Sequence, residues 1–169
     1  MKQNHHTLLI LLLVSFFATA QNASRKFISV DKSSKGMNIA VSDGNYQIVF
    51  YNNNIVETSF IPKGESYDPA SHAVVLKPEN ISEVKMPNRD GFLQFASAGI
   101  AVTIQKSPFM IRYSYKGKLL LSEKNGYIKK DSTEVIDFNL DNSEALYGGG
   151  ARALGMNRRG HRLQLYNRA

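Results

Sequence analysis

The sequence predicts an all-β protein, an antiparallel β-sandwich, and three observations carry that prediction. Short runs rich in Val, Ile, Tyr and Phe recur between Lys26 and Asp141, and several alternate apolar with polar residues, which is the period of a half-buried strand. The runs are separated by Gly, Asn, Asp, Pro and Ser, residues that supply turn conformations. No comparable amphipathic helix pattern appears. A chain of 169 residues is the size of one ordinary domain, and strands with one apolar face need a second sheet to cover it.

Taken in order, residues 1–20 read as a signal peptide. Lys2 precedes the apolar run Leu8 to Phe17, and Ala18 and Ala20 place small side chains at the minus-three and minus-one positions, so cleavage is expected after Ala20. The run is shorter than the roughly 18 apolar residues a membrane-crossing helix needs. Residue 21 is Gln rather than Cys, so a lipid anchor has no acceptor there, and no membrane association is expected after cleavage. The expected location is periplasmic or secreted. Residues 21–147 are then assigned to the sandwich and 148–169 to a Gly/Arg-rich connection.

Within the sandwich, strands are predicted over Met37 to Val41, Tyr46 to Tyr51, Ile55 to Ile61, His72 to Leu76 and Gly91 to Phe95. Further strands follow over Ile100 to Gln105, Met110 to Tyr115, Leu119 to Ser122 and Ile136 to Leu140. Tyr46, Ile48 and Phe50 share one face, as do Ile100, Val102 and Ile104 and later Ile136, Phe138 and Leu140. Asp43-Gly44 reads as a tight hairpin turn with positive φ. Asn52 to Asn54, Lys116 to Lys118 and Lys124 to Gly126 read as further turns, and Pro62, Pro69 and Pro87 as loop residues.

Composition excludes several functions. The chain has no cysteine, so disulfides, thiolate metal sites and cysteine catalysis are ruled out. Its formal charge is +7, but Arg152, Arg158, Arg159, Arg162 and Arg168 lie in a tail without acids, and the preceding mature chain is close to neutral. With an export signal and no nucleic-acid module, nucleic-acid binding is not expected; the arginines read as a solvated or partner-facing cluster. Only His72 and His161 remain after signal cleavage, too far apart to suggest a metal site. No cofactor is expected. No Ser sits in a nucleophile-elbow pattern. Gly148-Gly149-Gly150 with Ala153 formally matches a dinucleotide fingerprint but lacks the parallel strand, the helix and the downstream acid, and reads as close packing and an unusual turn. No acid lies in an apolar setting that would tune it for the paired-carboxylate chemistry of sugar hydrolysis. The triplets Asn22-Ala23-Ser24 and Asn80-Ile81-Ser82 are formal glycosylation acceptors from which nothing is drawn.

The tail carries the most specific signal. Glu144-Ala145-Leu146-Tyr147-Gly148-Gly149-Gly150 is followed by Ala151 to Gly160 and then by a segment ending Tyr166-Asn167-Arg168-Ala169. This arrangement resembles the end of the N-terminal domain of family 31 glycoside hydrolases, where Glu, two residues, an aromatic, Gly, any residue and Gly precede an aromatic-Asn segment. The resemblance implies a sandwich of the galactose-mutarotase-like type, in agreement with the strand pattern. It also implies a retaining α-glycosidase of the α-glucosidase or α-xylosidase type, whose catalytic acids lie in a following (β/α)8 barrel. No catalytic residue is therefore assigned here, and the chain alone is expected to be inactive. Its expected partners are that barrel and the α-linked oligosaccharide substrate of the full enzyme. Tyr166, Asn167 and Arg168 occupy the place where the family lends a loop to the mouth of the active site. The family often has an acid where Ala151 stands and an Asp where Ala169 stands, so the sugar class stays open. The competing reading is a free-standing exported carbohydrate-binding or adhesion module that works through exposed aromatics such as Tyr113 and Tyr115.

Overall fold

The structure of the chain is a computed structural model, and it describes residues 24–68, 70, 73–79, 91–130, 132–151 and 153–164. The signal peptide predicted over 1–20 lies outside the described residues. Two compact units are present, one through Asn139 and one from Leu140 onward.

Among the described residues, the first unit contains nine strands and no helix. β1 (Phe27–Ser33), β2 (Gly36–Val41), β3 (Gly44–Asn52) and β4 (Ile55–Pro62) form one sheet. β5 (Phe92–Ala96), β6 (Ile100–Lys106), β7 (Phe109–Tyr115), β8 (Lys118–Lys130) and β9 (Thr133–Asn139) form the other. Every neighbouring pair is antiparallel and consecutive in sequence, so each sheet is a meander. One core lies between them: Ile39, Ile48 and Phe50 from the first sheet meet Val102, Ile104 and Ile111 from the second, all at most 1% exposed. Burying each such side chain contributes about 1.5–3 kcal/mol.

Polar ties reinforce both ends of this core. Asn53, in the β3–β4 turn, accepts hydrogen bonds at its backbone oxygen from the Ile100 amide (2.9 Å) and the Ser97 hydroxyl (3.0 Å). A Cβ on Gly99 would stand 2.3 Å from that oxygen, so only glycine lets the two sheets approach there. At the opposite end Arg25 is 4% exposed. Its guanidinium donates to Asp43 (2.7 Å), to the Tyr46 hydroxyl (2.5 Å) and to the Tyr127 carbonyl (2.7 Å), and it lies 4.5 Å from the Phe60 ring centroid. One side chain thus joins β3 of one sheet to β8 of the other.

Several local expectations are corrected. β1 was not predicted, because its alternation is broken: Ile28 is extra in the pairing, so Phe27 and Val30, three residues apart, both pack on the core. The strand expected over His72 to Leu76 is absent over residues 73–76, where Val74, Val75 and Leu76 are exposed and belong to no ladder; His72 itself, Pro69 and Pro87 lie outside the described residues. Lys124-Asn125-Gly126 is not a turn. Glu123 and Gly126 pair with the consecutive residues Phe138 and Asp137, so these residues form a bulge inside one long strand, with Gly126 at φ +64°. Gly44 is not at positive φ; a Cβ there would stand 2.3 Å from the Ile61 oxygen and 2.8 Å from the Phe60 ring. Lys116 (φ 46°) and Gly117 (φ 82°) do form a left-handed two-residue turn.

Candidate functional site

Three polar assemblies could carry chemistry. The first surrounds Glu123, which alternation from Leu121 points inward and which is 6% exposed. The Ile111 amide donates to its Oε2 (3.3 Å). Burial pushes its carboxyl up to about 7, against the pull of that amide and of Arg25. Positions near a Cβ of Gly126 are occupied by Glu123 Oε2 (3.0 Å) and the Tyr46 hydroxyl (3.1 Å), so the bare bulge glycine leaves room for both. This corrects the expectation that no acid sits in an apolar setting. The period-two step from Leu121 to Glu123 could have shown it. The carboxyl lies beneath the sheet and fastens β7 to the β8 bulge, which is a structural task.

The second assembly is on the outer face of the first sheet. Glu57 accepts from the Tyr51 hydroxyl (2.8 Å), the Tyr67 hydroxyl (2.9 Å) and Ser59 (3.2 Å). The Tyr51 bond holds its carboxyl below the usual carboxylate range, against the cost of burial and with further help from Tyr67 and Ser59. Tyr113 and Tyr115, expected as exposed platforms for a binding module, instead pack partly buried against the core, and the Tyr113 hydroxyl donates to Thr58 Oγ1 (2.8 Å). Period two placed Tyr113 beside Ile111 in the inward set, which is why it faces a β4 side chain.

The third assembly is the second unit, described from Leu140 to Gln164. Gly148, Gly149 and Gly150 have φ of +106°, +75° and +77°, conformations that side-chain-bearing residues rarely adopt. Around them Arg158 donates to the carbonyls of Gly155 (2.7 Å), Gly148 (3.1 Å) and Gly150 (3.4 Å). Arg159 donates to the carbonyls of Asp141 (2.5 Å) and Glu144 (2.9 Å), and Asn157 Oδ1 accepts from the Leu146 and Arg159 amides, both at 3.0 Å. Two of the arginines expected to be solvated or partner-facing are therefore occupied by their own backbone, where planar guanidinium forks suit converging carbonyls. Carbonyls gather around a cation here, the reverse of a phosphate-binding loop, whose amides face an anion. Tyr147 and Met156 are 71% and 79% exposed. Tyr166, Asn167 and Arg168 lie outside the described residues, as does Arg152.

Among the described residues no three His, Asp or Glu side chains are grouped to hold a metal ion. No helix among them is long and apolar enough to cross a membrane.

Comparison with known proteins bears on what these assemblies serve. A family model described as the glycosyl hydrolase 31 N-terminal galactose mutarotase-like domain matches residues 45–169. Alpha-glucosidase 2 of Bacillus thermoamyloliquefaciens is 32% identical over 127 residues, which are 73% of this chain and 16% of that protein. Among solved structures, an uncharacterized protein from Listeria monocytogenes EGD-e superposes with a TM-score of 0.61 at 18% identity, over 80% of this chain and 14% of that one. The cycloalternan-forming enzyme of Listeria monocytogenes, solved with a pentasaccharide substrate, gives 0.60 at 17% identity over the same shares of 80% and 14%. The chain thus spans less than one-fifth of each of these proteins.

Proposed function

Because this chain belongs to the glycosyl hydrolase 31 N-terminal galactose mutarotase-like domain family, we propose that it is the accessory front domain of an exported α-glycosidase and does not hydrolyse glycosides by itself. The observation that carries this reading is the extent of the family match, which takes in both most of the sandwich and the whole Gly/Arg-rich unit. The α-glucosidase among its relatives supports the reaction class, hydrolysis of an α-glycosidic bond. That chemistry needs two carboxyl groups flanking the scissile bond. In the described part of this chain Glu123 is buried against Ile111, Asp43 is bonded to Arg25, and Glu57 is enclosed by three hydroxyls. Each of these carboxylates already has a structural partner.

In this proposal the second unit is a preset turn. Arg158 and Arg159 hold its carbonyls together, and the chain then runs into Tyr166, Asn167 and Arg168, which rim the sugar pocket of a following barrel. Arg168 can donate to sugar hydroxyls or to barrel carboxylates. Export follows from the leader and cleavage after Ala20.

The test is to express the 169-residue chain and a form extended with the sequence downstream of Ala169, and to assay both on aryl α-glucoside and aryl α-xyloside. The expected result is hydrolysis by the extended form alone. Hydrolysis by neither form, together with glycan binding by the short one, would replace the proposal with a binding module.

A further inference from the structure

On the outer face of the four-stranded sheet, the polar cluster around Glu57 borders a groove of about 380 Å³. The strand pattern puts it there. Val56 packs against the core and Thr58 accepts from the Tyr113 hydroxyl, so Glu57 and Ser59, which alternate with them, face outward. Tyr51 is the extra residue where the register shifts between Phe50 and Asn52, and its hydroxyl reaches Glu57 on the same side. The stretch after β4 is tied to this face twice. The Tyr67 hydroxyl donates to Glu57 (2.9 Å), and the Glu79 amide donates to the Tyr51 carbonyl (3.3 Å). Between those ties Val74, Val75 and Leu76 complete the groove opposite Tyr51, Ile55 and Glu57. Val74 is 50% and Val75 93% exposed. Uncovered apolar surface beside a few convergent polar groups is the composition of a ligand groove.

The hydrogen bonds define what such a ligand must bring. The Tyr51 and Tyr67 hydroxyls spend their hydrogens on Glu57, and Ser59 spends its own on Glu57 or Tyr67. What remains is acceptors: the lone pairs of the two phenol oxygens and one of the roughly four on the carboxylate. Among the described residues lining the groove, Glu57 is the one charged side chain, and its charge is already shared by three donors. A neutral molecule with several hydroxyl donors and an apolar face matches this better than a cation does. A pyranose ring is such a molecule, with hydroxyls around its edge and C–H groups on its faces.

We propose that this groove binds a short stretch of oligosaccharide, one ring lying on Ile55, Val74 and Leu76 while its hydroxyls donate to Glu57 and Tyr51. Held by its three hydroxyl partners, Glu57 is a fixed acceptor and not a catalytic acid. The volume falls at the small end of the range for small-molecule clefts, about 300–1,000 Å³. That the sugar is α-linked rests on the reading of the chain as part of an α-glycosidase. A glucan held on the accessory domain stays at high effective concentration for the rest of the protein.

Amide chemical shifts of the 169-residue chain, titrated with maltotetraose and separately with methyl α-xyloside, test the proposal. At least one of the two should give saturable shifts at Tyr51, Glu57 and Leu76. Glu57→Gln should weaken that binding about tenfold or more, since a charge-assisted bond is lost. Val74→Ser, a change at a half-exposed position, should weaken it about fivefold by removing part of the apolar floor, with the shifts of β2 and β6 unchanged in both variants. No saturable shift up to about 10 mM of either sugar, where a millimolar ligand would be nearly saturated, would overturn the proposal. Binding that neither variant weakens, or that shifts other residues instead, would also overturn it. Shifts at these residues from butylammonium and from neither sugar would overturn it and assign the groove to cations. The glycosidase assay is independent: sugar binding here without hydrolysis by the extended protein keeps the groove and removes the enzymatic reading, while hydrolysis without such binding removes the groove alone.

Discussion

Glu123 illustrates how a single buried carboxyl makes a fold depend on pH. Its value in the folded chain, about 7, lies above the ordinary 4.5 because burial disfavours the charged form. The folded domain therefore keeps a proton that the unfolded chain releases, and this contribution to stability is complete below pH 4.5 and is lost as pH rises to 7. The full shift corresponds to about 3 kcal/mol. Urea denaturation at pH 5 and pH 8 should show a wild-type midpoint that falls with pH more than that of Glu123→Gln, with the variant the more stable at pH 8. Arg25 sets the complementary case. Removing it leaves the Tyr127 carbonyl, the Tyr46 hydroxyl and Asp43 without their shared donor, so Arg25→Met should cost about 2–4 kcal/mol. Arg25→Lys should recover little in the same denaturation experiment, because an ammonium cannot span three acceptors set around a planar fork.

Elements were legible where period two ran long enough to be read, even with an extra residue at Tyr51 or Leu120, and illegible where a bulge left too short a run. β3, β6 and β7 follow simple alternation, and their inward residues are the core. β1 and the second half of β8 each carry a register shift, and glycine in the β8 bulge looks the same in sequence as glycine in a turn. The segment around Val74 to Leu76 has strand composition but no ladder partner, a fact of tertiary pairing that composition cannot contain. The tail motif identified the right family, while the use of Arg158 and Arg159 was hidden because their acceptors are backbone carbonyls, which every sequence has. Two glycines separate steric from conformational need. Gly44→Ala forces a Cβ against the Ile61 backbone and should cost more than 2 kcal/mol by thermal denaturation, whereas Gly117→Ala meets open space and should cost only about 1 kcal/mol from its positive φ. In the second unit, Arg158→Ala releases three carbonyls. Limited proteolysis should then cut faster between Leu146 and Gly160, with the denaturation midpoint of the sandwich unchanged.

At the scale of the molecule, four strands face five across one core, in a protein most of whose relatives' length lies elsewhere. The meander topology has a further consequence. Among the described strands, each pairs within its sheet with its neighbours in sequence, and the step from one sheet to the other comes once, between Pro62 and Phe92. Each half of the domain can thus assemble its ladders from local hairpins, and closing that single connection is the principal long-range step. A chain severed between Pro62 and Phe92 would still contain one entire sheet in each piece, with complementary apolar faces and the Arg25 and Asn53 ties to align them. Mixed as separate polypeptides, the two pieces should reconstitute the near-ultraviolet dichroism of the buried tyrosines that neither shows alone, which would make the domain a natural candidate for a split-protein reporter.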